Sequence, residues 1–120
     1  MATILLAEDD SALCQFLQKA LVKAGHDVTS FTDGSHALEA LGNGKEYDLL
    51  LTDIVMPGMD GIELAQKATS AMPALKVMFI TGFAAVAMGR QNPDQNNTKV
   101  LSKPFHLKEL VNQVDQLLAA

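Results

Sequence analysis

Cysteine occurs once, at Cys14, so the chain can form no internal disulfide and no cysteine-rich structural metal site. Basic residues are scarce: nine Lys and Arg stand against 14 Asp and Glu, for a net charge of -5. A chain of that sign repels a phosphate backbone, which argues against nucleic acid as a partner. No basic segment leads into an apolar run at the N-terminus, so no signal peptide is expected. No uninterrupted apolar stretch approaches the ~18 residues of a bilayer-spanning helix, so no membrane partner is expected either. These absences point to a cytoplasmic protein. Repeats, low-complexity tracts and linkers are also missing.

What is present suits one compact domain. Hydrophobic residues make up 48% of the 120 positions and charged residues 19%. A chain of this length buries roughly two-thirds of the surface its unfolded form exposes, and needs no metal merely to fold. The expectation is a single domain over 1–120 with no output domain.

Short apolar runs alternate with helical periodicity along the chain. Ile4 to Ala7 is apolar and ends abruptly in Glu8-Asp9-Asp10. Leu13, Phe16, Leu17, Ala20, Leu21 and Ala24 then recur at helical spacing, and Gly25 stops the helix. Val28 to Phe31 reads as a second strand, and Gly34 to Leu41 as a short helix with Asp33 as its N-cap. Leu49 to Thr52 is continuously apolar up to Asp53, as suits a strand covered on both faces. Asp60 can cap a helix over 61–71 with Ile62, Leu64, Ala65 and Ala68 inward. Lys76 to Ile80 is a fourth strand ending at Thr81-Gly82. A short uncharged helix over 84–89 and a polar loop over 91–97 lead to a last strand, Thr98 to Ser102. Lys103-Pro104 follows, then a closing helix over 106–120 with Leu110, Val114, Leu117 and Leu118 on one face.

Such alternation predicts an α/β fold: a doubly wound (βα)5 flavodoxin-like three-layer sandwich, parallel sheet order 2-1-3-4-5. In a sheet of this kind ligands bind beyond the carboxyl ends of the strands. Those ends carry Glu8, Asp9 and Asp10, then Asp53, then Thr81, then Ser102 and Lys103. Carboxylates crowded together repel, and a hard divalent cation relieves them. Lys103 supplies a point charge for a phosphoryl oxygen, and Thr81 a hydroxyl donor. The set suits phosphoryl transfer, with Asp53 as the best nucleophile because a carboxylate can form an aspartyl phosphate. Taken singly, each residue has a plainer use. Asp9 or Asp10 can cap the first helix, Lys-Pro can be a turn, and Thr-Gly a loop.

Four segments together resemble the receiver domains of two-component response regulators. They are Leu-Ala-Glu-Asp-Asp at 6–10, Leu-Leu-Thr-Asp-Ile-Val-Met-Pro-Gly-Met-Asp-Gly at 50–61, Ile-Thr-Gly at 80–82 and Lys-Pro-Phe at 103–105. The resemblance implies that Asp53 accepts a phosphoryl group from the phosphohistidine of a histidine kinase or histidine phosphotransfer protein. It implies Mg²⁺ as cofactor, with Asp9 a direct ligand, Glu8 acting mainly through water, Asp53 a ligand, and the Val55 backbone carbonyl completing the protein's share. Thr81 would hydrogen-bond the phosphoryl group, Lys103 would pair with it, and the peptide before Pro104 would be cis. The chain would catalyse only its own phosphorylation and dephosphorylation.

Two positions depart from the commonest pattern. Glu8-Asp9 stands where Asp-Asp is frequent, a variation that should preserve metal binding. Val100 stands where many receivers carry Tyr or Phe, so a large aromatic swing is not expected to transmit the signal. Val55 and Phe83 flank the expected approach of water, which predicts slow self-dephosphorylation.

The whole sequence is similar to the CpdR-type stand-alone regulators of alphaproteobacteria. That likeness implies a phosphorylation-controlled adaptor for proteolysis by ClpXP, with the ClpX unfoldase as partner and phosphorylation switching it off. The terminal Ala119-Ala120 resembles tags read by such machines, although a helix end fraying in small residues is the simpler reading. The alternatives are a phosphorelay intermediate or a motility-type regulator. An aspartyl-phosphate phosphatase fits less well: haloacid-dehalogenase-like enzymes place an acid/base Asp two residues after the nucleophile, where this chain has Val55. A flavin carrier fails because Glu8-Asp9-Asp10 would repel its phosphate.

The remaining chemistry-bearing residues have modest expectations. Cys14 reads as a small apolar filler, and His26, His36 and His106 as surface residues without ligand spacing. The uncharged segment 83–88, with Val86 and Met88, is the expected partner surface. Gln15, Gln18, Lys19 and Val22 on the first helix are expected kinase contacts.

Overall fold

The computed structural model describes residues 2–82 and 98–119. Five strands, β1 (Thr3–Ala7), β2 (Asp27–Phe31), β3 (Leu49–Asp53), β4 (Lys76–Thr81) and β5 (Thr98–Ser102), form one sheet in the order β2-β1-β3-β4-β5. Every neighbouring pair is parallel, so all carboxyl ends leave the sheet at the same edge. Four helices are described: α1 (Ser11–Lys23), α2 (Gly34–Leu41), α3 (Gly61–Ala71) and α4 (Leu107–Ala119). The expected order is therefore the observed one. The expected helix over 84–89, the loop over 91–97 and the surface at Val86 and Met88 lie outside the described residues.

Strand alternation sorts the core onto two faces. Leu5, Leu50, Val77 and Phe79 point to one side, where Ala37, Ala40 and Leu41 of α2 and Ile62, Leu64, Ala65 and Ala68 of α3 cover them. Ile4, Leu6, Leu49, Leu51, Met78 and Ile80 point to the other, beneath Leu17 and Leu21 of α1 and Leu110, Val114 and Leu117 of α4. The continuous apolar run of β3 is the direct consequence, since all five of its residues are buried. Val100 pairs with Phe79 across β4–β5 and packs, partly buried, on the α2–α3 side.

Caps define three helix starts. Asp10 Oδ1 accepts the amides of Ala12 and Leu13 at 3.0 and 3.2 Å, Asp33 Oδ1 accepts that of His36 at 2.8 Å, and Asp60 Oδ1 that of Glu63 at 2.8 Å. Asp10, not Asp9, thus caps α1, which leaves the Asp9 carboxylate for other work.

Two expectations require correction. Helical spacing puts Phe16 on the inward stripe of α1, but it is 54% exposed. The buried stripe runs instead through Cys14, Leu17 and Leu21, and Phe16, two residues from Cys14, faces away from it. His26 was placed on the surface, yet its side chain is only 7% exposed. Its Nδ1 accepts the Ala2 amide at 3.1 Å, which ties the start of the chain to the α1–β2 turn. His36 and His106 are exposed as expected. The Cys14 thiol is pushed up by burial, in keeping with a filler and not a redox group.

Among the described residues no helix is long and apolar enough to cross a membrane.

Candidate functional site

The sheet delivers its polar residues to one edge. Glu8 and Asp9 follow β1 directly, Asp53 is the last residue of β3, Thr81 the last of β4, and Lys103 the first after β5. Parallel register aligns them: Asp53 pairs with Ile80, one residue before Thr81, and Thr81 pairs with Ser102, one residue before Lys103. The Lys103 amide donates to the Thr81 carbonyl at 2.8 Å, which fixes the exit of β5 against that of β4. The Lys103–Pro104 peptide is cis, as the resemblance implied.

Three carboxylates meet here. Oxygens of Glu8, Asp9 and Asp53 all lie within 4.8 Å of one another. Glu8 and Asp53 are buried, while Asp9 is exposed. Lys103 Nζ reaches over them, 3.2 Å from Asp53 Oδ2 and 3.5 Å from Glu8 Oε1. The Asp10 amide holds the other Glu8 oxygen, donating to Oε2 at 3.1 Å. Thr81 is fully buried behind this group. Structure thus brings together Glu8, Asp9, Asp53 and Lys103 by direct contact, and Thr81 through the strand register. Val55 lies two residues beyond Asp53 in the β3–α3 loop and is 58% exposed.

The electrostatics are those of a site short of positive charge. Burial pushes the Glu8 carboxyl up to about 7; the Asp10 amide opposes this, the Asp53 charge adds to it, and Lys103 offsets it only in part. Burial alone would pull the Lys103 ammonium down, but the Glu8 and Asp53 carboxylates outweigh it and hold the ammonium above its ordinary value. An all-oxygen cluster of three carboxylates within 4.8 Å of one another matches the donor chemistry of a hard divalent ion such as Mg²⁺. The nearest thiol, Cys14, is committed to the core.

Protonated Glu8 favours the folded state, because the folded protein holds a proton that the unfolded chain releases near pH 4.5. Metal-free stability should therefore fall as pH rises from 4.5 to about 7, with a loss of about 3 kcal/mol from this group. Chemical denaturation at a series of pH values checks this. Glu8→Gln should flatten the slope.

Two glycines support this edge. A Cβ on Gly61 would lie 2.0 Å from the Asp53 carbonyl oxygen, and one on Gly34 would lie 2.9 Å from the Met59 carbonyl oxygen. Both glycines occupy the first position of a helix directly after its capping aspartate, α2 as Asp33-Gly34 and α3 as Asp60-Gly61. Glycine is a poor helix former, so its repetition at that place was the available signal of a close approach.

Comparison with known proteins agrees with this geometry. The family model of the response regulator receiver domain matches residues 4–115. The chain is 57% identical over 120 residues to the response regulator receiver protein CpdR of Brucella abortus (strain 2308), covering 100% of this chain and 99% of that one. Among solved structures, a response regulator receiver protein from Sinorhizobium medicae WSM419 superposes with a TM-score of 0.89 at 33% identity, covering 99% of this chain and 95% of that one. The receiver domain of the hybrid histidine kinase CckA superposes with a TM-score of 0.82 at 32% identity, covering 97% and 98%. The chain belongs to the response regulator receiver domain family.

Proposed function

We propose that the protein is a cytoplasmic receiver domain that is phosphorylated on Asp53 and acts through phosphorylation-controlled contact with another protein. The observation that carries this reading is the convergence of Glu8, Asp9, Asp53 and Lys103 at the carboxyl edge of the sheet. The donor is the phosphohistidine of a histidine kinase or a histidine phosphotransfer protein. An Asp53 carboxylate oxygen attacks phosphorus, and the P–N bond breaks as the P–O bond forms. Asp9, Asp53, the Val55 carbonyl and, through water, Glu8 would hold Mg²⁺. The ion supplies neutralisation of charge on the phosphoryl oxygens. Lys103 turns from the carboxylates to a phosphoryl oxygen, and the Thr81 hydroxyl donates to another.

Exposed Gln15, Lys19 and Val22 of α1 are the proposed kinase contacts. Gln18 belongs less well with them, because it is half-buried and its Oε1 accepts the Ser30 hydroxyl at 2.8 Å. With Val100 where a large ring is common, the switch works through Thr81 and the segment after β4 and not through an aromatic swing. Val55 beside the site favours a long-lived phosphoryl group; Phe83, its expected companion, lies outside the described residues.

The proposed output is that of an adaptor for ClpXP-type proteolysis, on the strength of the likeness to CpdR. A ClpX pull-down in Mg²⁺, with and without beryllofluoride as the phosphoryl mimic, tests it. Capture without the mimic and loss with it is the expected result. No capture in either state would discard the adaptor reading in favour of a phosphorelay or motility-type output.

A further inference from the structure

The loop between Asp53 and α3 is gripped from two sides. On one side, α3 begins so close to β3 that a Cβ on Gly61 would meet the Asp53 carbonyl oxygen at 2.0 Å, and the Gly61 amide donates to the Ile54 carbonyl at 2.8 Å. On the other side, α2 begins against Met59. A Cβ on buried Gly34 would lie 2.9 Å from the Met59 carbonyl oxygen, 3.2 Å from its Cβ and 3.4 Å from its Cγ. Met59 immediately precedes Asp60, the cap of α3. Asp33, whose Oδ1 accepts the His36 amide at 2.8 Å, fixes where α2 starts.

We infer that Gly34 is a positioning residue for the phosphoacceptor site: the start of α2 sets the β3–α3 loop, and through it the Val55 carbonyl and Asp53. This inference rests on the functional reading above. Gly34 itself touches none of the proposed ligands; its contact is with Met59. The nearest of these atoms is a backbone carbonyl oxygen, so a methyl group at position 34 cannot be accommodated by turning a side chain. Either α2 retreats, or the Met59 carbonyl moves and the loop moves with it. Close-packed interiors pass such displacements on. The movement falls between Asp53 and Asp60, a stretch that contains Gly58 at φ +74°, a conformation that favours glycine.

The test is Gly34→Ala, with Ala68→Gly in α3 as a control that loosens the same core cluster well away from the site. Mg²⁺ affinity, thermal midpoint and amide NMR shifts are measured for both and for the unaltered chain, using Mg²⁺ alone and then Mg²⁺ with beryllofluoride. Gly34→Ala should weaken Mg²⁺ binding at least about threefold, with amide shifts at Asp53, Val55 and Met59 in the folded, metal-free protein. Ala68→Gly should lower the midpoint and leave Mg²⁺ affinity within error. Unchanged Mg²⁺ affinity in folded Gly34→Ala, or equal weakening in the control, overturns the inference. Should Gly34→Ala fail to fold, Asp33→Ala loosens the same helix start without added atoms and should weaken Mg²⁺ binding with shifts at Met59 and Asp60; unchanged affinity there overturns it equally. Failure of the unaltered chain to bind Mg²⁺ would instead remove the functional reading on which it rests.

Discussion

Asp53→Asn is expected to bring phosphoryl uptake from a small acyl-phosphate donor below detection while leaving the fold intact. The amide keeps the shape of the carboxylate but is no longer a nucleophile. No other carboxylate can readily replace it. Glu8 is buried, engaged by the Asp10 amide and Lys103, and its carboxyl is pushed up to about 7 by burial. Asp9 is exposed and follows a different strand. Removing the Asp53 charge also removes one of the influences that hold a proton on Glu8. The variant's stability should consequently decline less steeply with pH than that of the unaltered chain. Intact-mass spectrometry reads the first effect and denaturation at pH 5 and 7 the second. Undiminished phosphorylation would mean that the nucleophile lies elsewhere.

Gly61→Ala is expected to be the most damaging single methyl addition near the site. The added carbon would fall 2.0 Å from the Asp53 carbonyl oxygen, 2.9 Å from its carbon and 3.0 Å from Ile54 Cα, all backbone atoms. Overpacking of a tight core typically costs about 1–3 kcal/mol, and a backbone clash belongs at or above the upper end. Helix propensity works the other way, favouring alanine by up to about 1 kcal/mol, and is too small to compensate. The displaced group is the main chain of the phosphoacceptor itself. Loss of Mg²⁺ binding should therefore accompany the loss of stability. A thermal melt beside a Mg²⁺ titration checks both; a variant as stable and as tight as the unaltered chain would contradict the packing described.

The site's pH behaviour adds a constraint on Mg²⁺. Binding that uses the Glu8 carboxylate must release its proton, so the ion should raise the thermal midpoint more at pH 8 than at pH 6. A gain independent of pH would exclude Glu8 from the metal's surroundings.

Much of this was legible in the sequence because the relevant signals are local. The apolar run of β3 and its abrupt end at Asp53 mark a buried strand and its functional edge together. Asp33 and Asp60 announce helix starts at the very positions observed. The strand order follows from alternation and parallel connectivity. What escaped notice depends on where a helix lands. Periodicity alone did not exclude Phe16 from the buried stripe of α1, because Phe16 adjoins Leu17 and only the seating of the helix on the sheet decides that Cys14, Leu17 and Leu21 face inward. His26 is polar and follows a glycine, yet the Ala2 amide draws its ring inward. The two Asp-Gly helix starts looked like ordinary capping, and only the distance from each glycine to a neighbouring carbonyl shows their other use.

The most direct test of the central claim is to locate the phosphoryl group. The protein is treated with a small acyl-phosphate donor, with and without Mg²⁺, and any acyl phosphate is reduced with borohydride, which converts a phosphorylated aspartate to homoserine. Peptide mass spectrometry then reads the position. The expected result is homoserine at position 53, formed only with Mg²⁺. Homoserine at another aspartate, or phosphate that survives reduction on a histidine or hydroxyl, would contradict the account.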